Sequence, residues 1–384
     1  MQFCRLARRR TTCLNFRRME IEDIALTMTP ALGVRGVVHL LNLFGNARAV
    51  FAASEQELVR RAELRPDVAR NIASRKGMRQ AERELEYCRR NGVLPVASTD
   101  EAYPALLREI DDYPHVIYVR GSVEALSLRA ISFVGTRRMT PYGERMCMQL
   151  VEGLARLVPG LCIVSGLAFG IDSAAHRAAL AHGVATVAVV ANALPDVTPA
   201  QHAPLARDIV EHGGAIVSEL PSCTKQNGSY YIPRNRIIAG LGCGTVIVES
   251  HAGGGALSTV RFADGYNRSV MAVPGRATDS ASVGTNMLIR NRKAQLVLSA
   301  EDVVGELAWD LDPALPCDDT NAVSDISPDD ARILDLFATP EPLSFEELLS
   351  RVSITAGELT SRLIVLELAG AVCQLPGKRY RKTI

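Results

Sequence analysis

Ile131-Ser132-Phe133-Val134-Gly135-Thr136-Arg137-Arg138 decides the fold. A short apolar run meets a glycine, and Pro141-Tyr142-Gly143 then opens a longer amphipathic segment. That order reads as a buried strand, a tight turn and a helix. The unit recurs: residues 161–164 run into Ser165-Gly166-Leu167-Ala168-Phe169-Gly170-Ile171-Asp172, and further β-branched runs occupy 184–190, 215–217, 245–248 and 269–273. Ala-rich or amphipathic stretches separate them. Strands alternating with helices imply right-handed βαβ crossovers and a mostly parallel sheet covered on both faces. The fold class is therefore α/β, with a Rossmann-like domain over residues 92–305.

Outward from that domain the rhythm changes. Residues 19–91 are strand-poor, and Val37, Leu40, Leu41 and Phe44 keep helical spacing between breaks at Gly33, Gly36 and Gly45. Leu32-Gly33-Val34-Arg35-Gly36 resembles a helix-hairpin-helix (SAM-like) turn, whose N–H groups can meet a DNA phosphate. A tight connection with glycine in the left-handed region explains the same residues. On the other side, residues 306–328 gather Asp and Pro and read as an exposed acidic linker. Residues 329–384 then offer helical segments at 331–337, 344–352 and 355–369, followed by strands at 371–375 and 378–382 around a Pro-Gly turn. This is the pattern of a winged helix. Its third helix carries Arg362 as its one basic residue, so docking to protein suits it as well as reading DNA.

Composition narrows the function. A chain of 384 residues, 47% hydrophobic and 22% charged, has core enough for two or three folding units and excludes wholesale disorder, collagen and coiled coil. Its longest apolar stretch, near residues 184–194, falls well short of the roughly 20 residues of a membrane helix. Nine cysteines without a CxxC pair fit neither a disulfide framework nor a zinc ribbon; reduced thiols and a cytoplasmic location follow. Six of the 43 basic residues are arginines within residues 1–18, a leader read as a start-site artefact ahead of Met19 rather than an organellar presequence. The remaining 37 face 42 acids, a net −5. A mildly acidic body holds nucleic acid only through a local basic site.

Loops after four strands supply candidates, since carboxyl ends of parallel strands line the ligand crevice. Gly135, Thr136, Arg137 and Arg138 combine close backbone approach, a hydroxyl and two charges for a phosphate. Ser165, Gly166, Ala168, Phe169 and Gly170 form a small-residue cradle before a helix, neither GxGxxG nor a Lys-bearing P-loop. Asp172 and His176, four apart, read as a capping carboxylate and a hydrogen-bonded imidazole rather than a metal or acid–base pair. Tyr231, Arg234, Asn235 and Arg236 mix stacking faces with phosphate charge. At least one of these arginines is expected to pair instead with Glu219 or Glu249. Gly254 and Gly255 add a further glycine-rich helix start. The ensemble suggests an extended anion track; no cofactor or metal is implied.

Read together, Val134-Gly135-Thr136-Arg137, the 165–172 loop with His176, Ser218-Glu219, Arg234-Asn235-Arg236-Ile237-Ile238-Ala239-Gly240-Leu241, Val273-Pro274-Gly275 and Gly284-Thr285-Asn286 with Leu288-Ile289 resemble the DNA-processing protein A (DprA/Smf) family. The resemblance runs from Gly92 to Val304 in family order. It implies a cytoplasmic, non-enzymatic homodimer that binds single-stranded DNA, protects incoming DNA and helps load RecA recombinase in natural transformation. It makes Arg137 the DNA-contacting arginine and Tyr231 the stacking aromatic. The family's lysine before that aromatic is Gly228 here, with Lys225 three residues earlier as a substitute. Other departures are Ala191-Asn192-Ala193-Leu194 and Thr198-Pro199 at the middle strand, Gly254-Gly255 for Ser-Gly, and Lys293-Ala294 for Gly-Ala. The rival is a Rossmann-like nucleotide phosphoribohydrolase, which needs a glutamate after its glycine loop; here Val260 and Arg261 follow Gly253-Gly254-Gly255-Ala256-Leu257-Ser258-Thr259. An NAD-linked oxidoreductase lacks its GxGxxG.

Overall fold

A computed structural model of the chain describes residues 20–309, 328–337, 343–352, 354–368, 371–375 and 379–382. The basic leader and residues 310–327 of the acidic linker lie outside the described residues. Chain contacts divide the protein into two compact units, with the division between Leu311 and Asp312.

The first unit begins with helices α1 (Ile21–Thr27), α2 (Val34–Phe44), α3 (Ala47–Ala52), α4 (Glu55–Arg61), α5 (Pro66–Ala73) and α6 (Met78–Arg90). Their starts are written locally: Asn46 and Ser54 accept the N–H groups of Ala49 and Glu57, and Pro66 opens α5. Ile24, Leu26, Leu40, Leu58 and Ile72 are fully buried between them. In the α1–α2 turn the left-handed residue is Ala31 (φ 64°), while Gly33 caps α2 in extended conformation, so glycine geometry is not what makes this connection.

One nine-stranded sheet follows, in the order β1-β2-β6-β5-β4-β3-β7-β8-β9. Its strands are β1 (Leu94–Ala97), β2 (Val116–Gly121), β3 (Arg129–Val134), β4 (Leu161–Ser165), β5 (Ala185–Val189), β6 (Ala215–Ser218), β7 (Gly244–Ile247), β8 (Ser269–Ala272) and β9 (Gln295–Leu296). From β6 across to β9 all pairings are parallel, which confirms the expected class. β1 and β2 extend the sheet antiparallel beyond β6 and were not foreseen; nor was β9. Helices α8 (Pro141–Leu157), α9 (Ile171–Ala181) and α14 (Ala300–Glu306) bury Leu150, Leu154, Ala175 and Val303 against Ile131, Phe133 and Ile163. α10 (Ala203–Glu211) continues that layer over Ala188 and Ile216. On the opposite face α7 (Ala105–Arg108), α11 (Tyr231–Leu241) and α12 (Ala256–Gly265) bury Leu107, Ile237, Ile238 and Val260 against Val134, Val164 and Val189. Each buried Val, Leu, Ile or Phe side chain among these contributes about 1.5–3 kcal/mol. Core packing runs on to Trp309, whose ring lies under the Arg129 guanidinium at 5.5 Å.

Strand order positions the site. From β3 the chain adds β4, β5 and β6 on one side, then crosses back through α11 to lay β7 on the other side of β3. Loops leaving β3 and β7 therefore diverge, and a crevice opens at this switch point.

Between β8 and β9 the first unit also carries α13 (Val283–Arg290); the elements of the second unit are α15 (Pro328–Asp335), β10 (Leu343–Ser344), α16 (Phe345–Arg351), α17 (Ala356–Leu368), β11 (Val372–Leu375) and β12 (Arg379–Lys382). The strands pair in the order β10-β12-β11, and Leu348, Leu359, Leu363, Leu366 and Tyr380 form the core. Ser344 and Glu347 make a reciprocal capping box at α16. Arg362 of the third helix bonds to Asp330 at 2.9 Å.

Candidate nucleic-acid interface

Just beyond the last β3–β7 pairing, Val134 against Ile247, a cleft of about 460 Å³ opens at the carboxyl edge of the sheet. All four quoted loops reach it: Gly135, Thr136, Arg137 and Arg138 after β3; Ala168 after β4; Tyr231, Arg234 and Asn235 on α11; Gly254 and Gly255 before α12.

The loops are bonded to one another. Thr136 N–H donates to the Glu249 carbonyl (2.8 Å), and Ile171 N–H donates to the Thr136 carbonyl (3.2 Å). That close passage needs glycine at 170, which has φ 77°; a Cβ there would lie 2.2 Å from the Thr136 oxygen. The buried Glu249 carboxylate accepts from Thr140 N–H (2.9 Å) and Thr140 Oγ1 (2.6 Å), fixing the start of α8.

Below the cleft lies Arg234, only 4% exposed. Its Nη1 donates to the carbonyls of Gly166 (2.7 Å) and Val189, and a Cβ on residue 166 would come within 2.2 Å of that nitrogen. Burial lowers the Arg234 pKa to about 10, with the neighbouring Asp172 opposing the change. Burial raises the Asp172 pKa while Arg234 holds it down. The guanidinium stays charged at neutral pH, and the Asp172 carboxyl accepts from the Ala168 N–H at 3.4 Å.

His176 is fully buried, its Nδ1 2.7 Å from Thr186 Oγ1. The single proton of that hydroxyl goes to the Ile163 carbonyl (2.7 Å), so Nδ1 carries the hydrogen and donates. Burial drives the imidazole pKa down to about 3, which leaves it neutral at physiological pH. The hydrogen-bonded reading of His176 holds. Asp172 differs from the capping role: Gly170 is the N-cap of α9, and Asp172 lies inside the first turn facing Arg234. Among the described residues no cluster of three or more His, Cys, Asp or Glu side chains is arranged to hold a metal ion, and no helix is long and apolar enough to cross a membrane.

Arg137 and Arg138 stand at the rim, exposed and without an ion pair among the described residues. The Arg137 guanidinium lies over the Tyr231 ring at 5.2 Å, a cation–π contact that makes a flat cationic platform. Three of the expected residues lie away from the cleft lining. Arg236 does not face the cleft: it is 5% exposed, paired with Glu219, and 3.9 Å from Asp112, because residues two apart on a helix point to different sides. Ser165 is buried under its loop and donates to the Phe133 carbonyl (2.7 Å). Lys225 is exposed on the loop before α11, outside the cleft lining. Asn235 lines the cleft but spends its Nδ2 on Ser258 Oγ (2.8 Å), tying α11 to α12. Phe169 and Gly170 line an adjoining hollow instead. Ile232, Ser250, His251 and Thr259 also line the cleft. Only the position of Ser250-His251 ahead of the glycine run signals them in the sequence.

Comparison with known proteins agrees with this architecture. The family described as DNA recombination-mediator protein A matches residues 95–308, and the DprA winged helix domain matches residues 318–378. Protein Smf of Escherichia coli is 35% identical over 292 residues, covering 74% of this chain and 76% of that protein. DNA processing protein A of Streptococcus pneumoniae superimposes with a TM-score of 0.65 at 28% identity, over 75% of this chain and 98% of that one. A Helicobacter pylori DNA processing protein A, whose structure is described by its single-stranded DNA binding mode, gives a TM-score of 0.51 at 25% identity, over 58% and 98%. With a family match across most of the sheet and a relative this similar over three quarters of both chains, the chain belongs to the DNA recombination-mediator protein A (DprA/Smf) family.

Proposed function

We propose that this protein binds single-stranded DNA at the carboxyl-edge cleft, protects it, and helps load it with RecA recombinase in natural transformation or recombination, acting as a cytoplasmic homodimer without catalysing a reaction. One observation carries the reading: Arg137, without an ion pair among the described residues, rests on Tyr231 at the rim of a cleft into which glycine-bearing loops and the side chains of Arg138, Arg234 and Asn235 open. Guanidinium, aromatic ring and amide groups meet phosphates and base faces; a single strand offers both, whereas stacking in a duplex hides the base faces. The Helicobacter pylori relative supports it, as that structure is described by its single-stranded DNA binding mode. The engaged Glu249 carboxylate, held by Thr140, counts against the phosphoribohydrolase alternative. A gel-shift comparison should show tighter binding to single-stranded than to duplex oligonucleotides, with little dependence on sequence. Equal or tighter binding to duplex, or release of adenine from adenosine monophosphate, would overturn the reading.

A further inference from the structure

The cleft does not end at its rim. Across Arg137 and Arg138, which line both hollows, lies a second groove of about 500 Å³ walled by Phe169, Arg177, Gln201 and His202. Its charge is one-sided. Arg137, Arg138 and Arg177 have no ion pair among the described residues, and no carboxylate lines this groove. Acid returns only farther on, where the hollow continues past Arg177 and His202 to Asp208. Its aromatic wall is held in place. Phe169 is 45% exposed, and its ring meets His202 edge-on at 4.7 Å between centroids. His202 is 4% exposed, and its Nδ1 lies 2.7 Å from the Leu167 carbonyl, an acceptor only, so that nitrogen carries the hydrogen. Leu167 itself holds a left-handed φ of 55°, a conformation a leucine adopts only under constraint. An exposed aromatic fixed among three unpaired guanidinium groups is the composition of a single-strand stacking site.

We propose that this groove is a second single-stranded DNA subsite, continuous with the first, in which Phe169 stacks a base while Arg138 and Arg177 receive the adjoining phosphates. It rests on the reading of the first cleft as a single-strand site. It adds Arg177, Gln201 and His202 to the surface involved and makes Phe169 a counterpart to Tyr231 on the far side of Arg137.

The test measures affinity of the full-length protein by fluorescence anisotropy for oligothymidylates of roughly four and roughly twelve nucleotides, within the range that single-strand sites span. Phe169→Ala should weaken the longer strand about tenfold and leave the shorter one unchanged, the loss of one stacked base. Phe169→Tyr should restore it. Arg177→Ala should also weaken the longer strand selectively and lower the slope of log affinity against log salt by about 0.7. Both side chains are exposed, and unchanged unfolding midpoints establish that the variants are folded. Wild-type affinity for the longer strand in folded Phe169→Ala and Arg177→Ala overturns the proposal, as does equal weakening of both strands. Failure of the wild-type protein to bind either strand instead overturns the first reading.

Discussion

Arg137, at the carboxyl edge of the sheet, and His176, buried in mid-α9 against the second residue of β5, are both polar, yet their surroundings give them opposite roles. Arg137 is exposed, and its guanidinium lies over the Tyr231 ring. Arg137→Ala should therefore cost about 1.5–3 kcal/mol of single-strand affinity and flatten the salt slope by about 0.7, without moving the unfolding midpoint. Unchanged affinity and slope in the folded variant would remove it from the site. His176 acts on stability instead. Its pKa falls from 6.5 in the unfolded chain to about 3 in the fold, so between these values the unfolded state binds more protons. The contribution of the neutral imidazole is complete above about pH 6.5 and is lost as pH falls toward 3. His176→Asn keeps a donor for Thr186 and cannot charge, so its unfolding midpoint should fall less steeply than wild type over that window. Asp172, with its pKa raised, works in the opposite sense, and the difference between variant and wild type isolates His176. Parallel profiles would exclude the imidazole as the source.

Helix α11 shows how far the elements were legible in the sequence. The Arg-Asn-Arg run was visible, and so was the expectation that one arginine would pair with a nearby glutamate. Which one was not visible, because that depends on the phase of the helix against the sheet: Arg234 turns under the cleft and Arg236 toward Glu219. Removing Arg236 leaves Glu219, whose side chain is 15% exposed, without its counter-charge. Arg236→Ala should accordingly destabilise the fold by about 3–5 kcal/mol, read in a denaturant titration, while the folded fraction retains affinity for DNA. A stability within 1 kcal/mol of wild type, the usual range for an exposed pair, would contradict this placement. Strands β3 to β8 were legible because their β-branched runs alternate with helices. β1 contains Pro95, which lowers its strand signal and suits a sheet edge, and β9 has two residues, too few for any periodicity. β2 has a clear β-branched run, but pairing antiparallel outside the βαβ rhythm hid it.

For the whole molecule, the cleft belongs to the unit that ends at Leu311. A chain truncated after Leu311 should bind single strands within tenfold of the full-length protein, and a loss beyond 1.4 kcal/mol would bring the winged helix into the DNA site. Truncation at residue 305 would also remove Trp309, which packs on the core, and should lower the unfolding midpoint. The helical layer before the sheet reaches the cleft's approaches by one further connection. Glu84 of α6, 3% exposed, accepts the backbone N–H of Ser222 at 2.8 Å and its hydroxyl, and Gln80 on the same helix reaches Cys223. Both partners lie on the segment that carries Lys225 and leads into Tyr231. Amide hydrogen exchange should reveal the dependence: the Ser222 amide, closed by a side chain of α6, opens whenever that helix does, so its protection can be no greater than the helix allows. A substitution in the remote core around Leu40 or Ile72 that loosens α6 would then speed exchange at the threshold of the cleft.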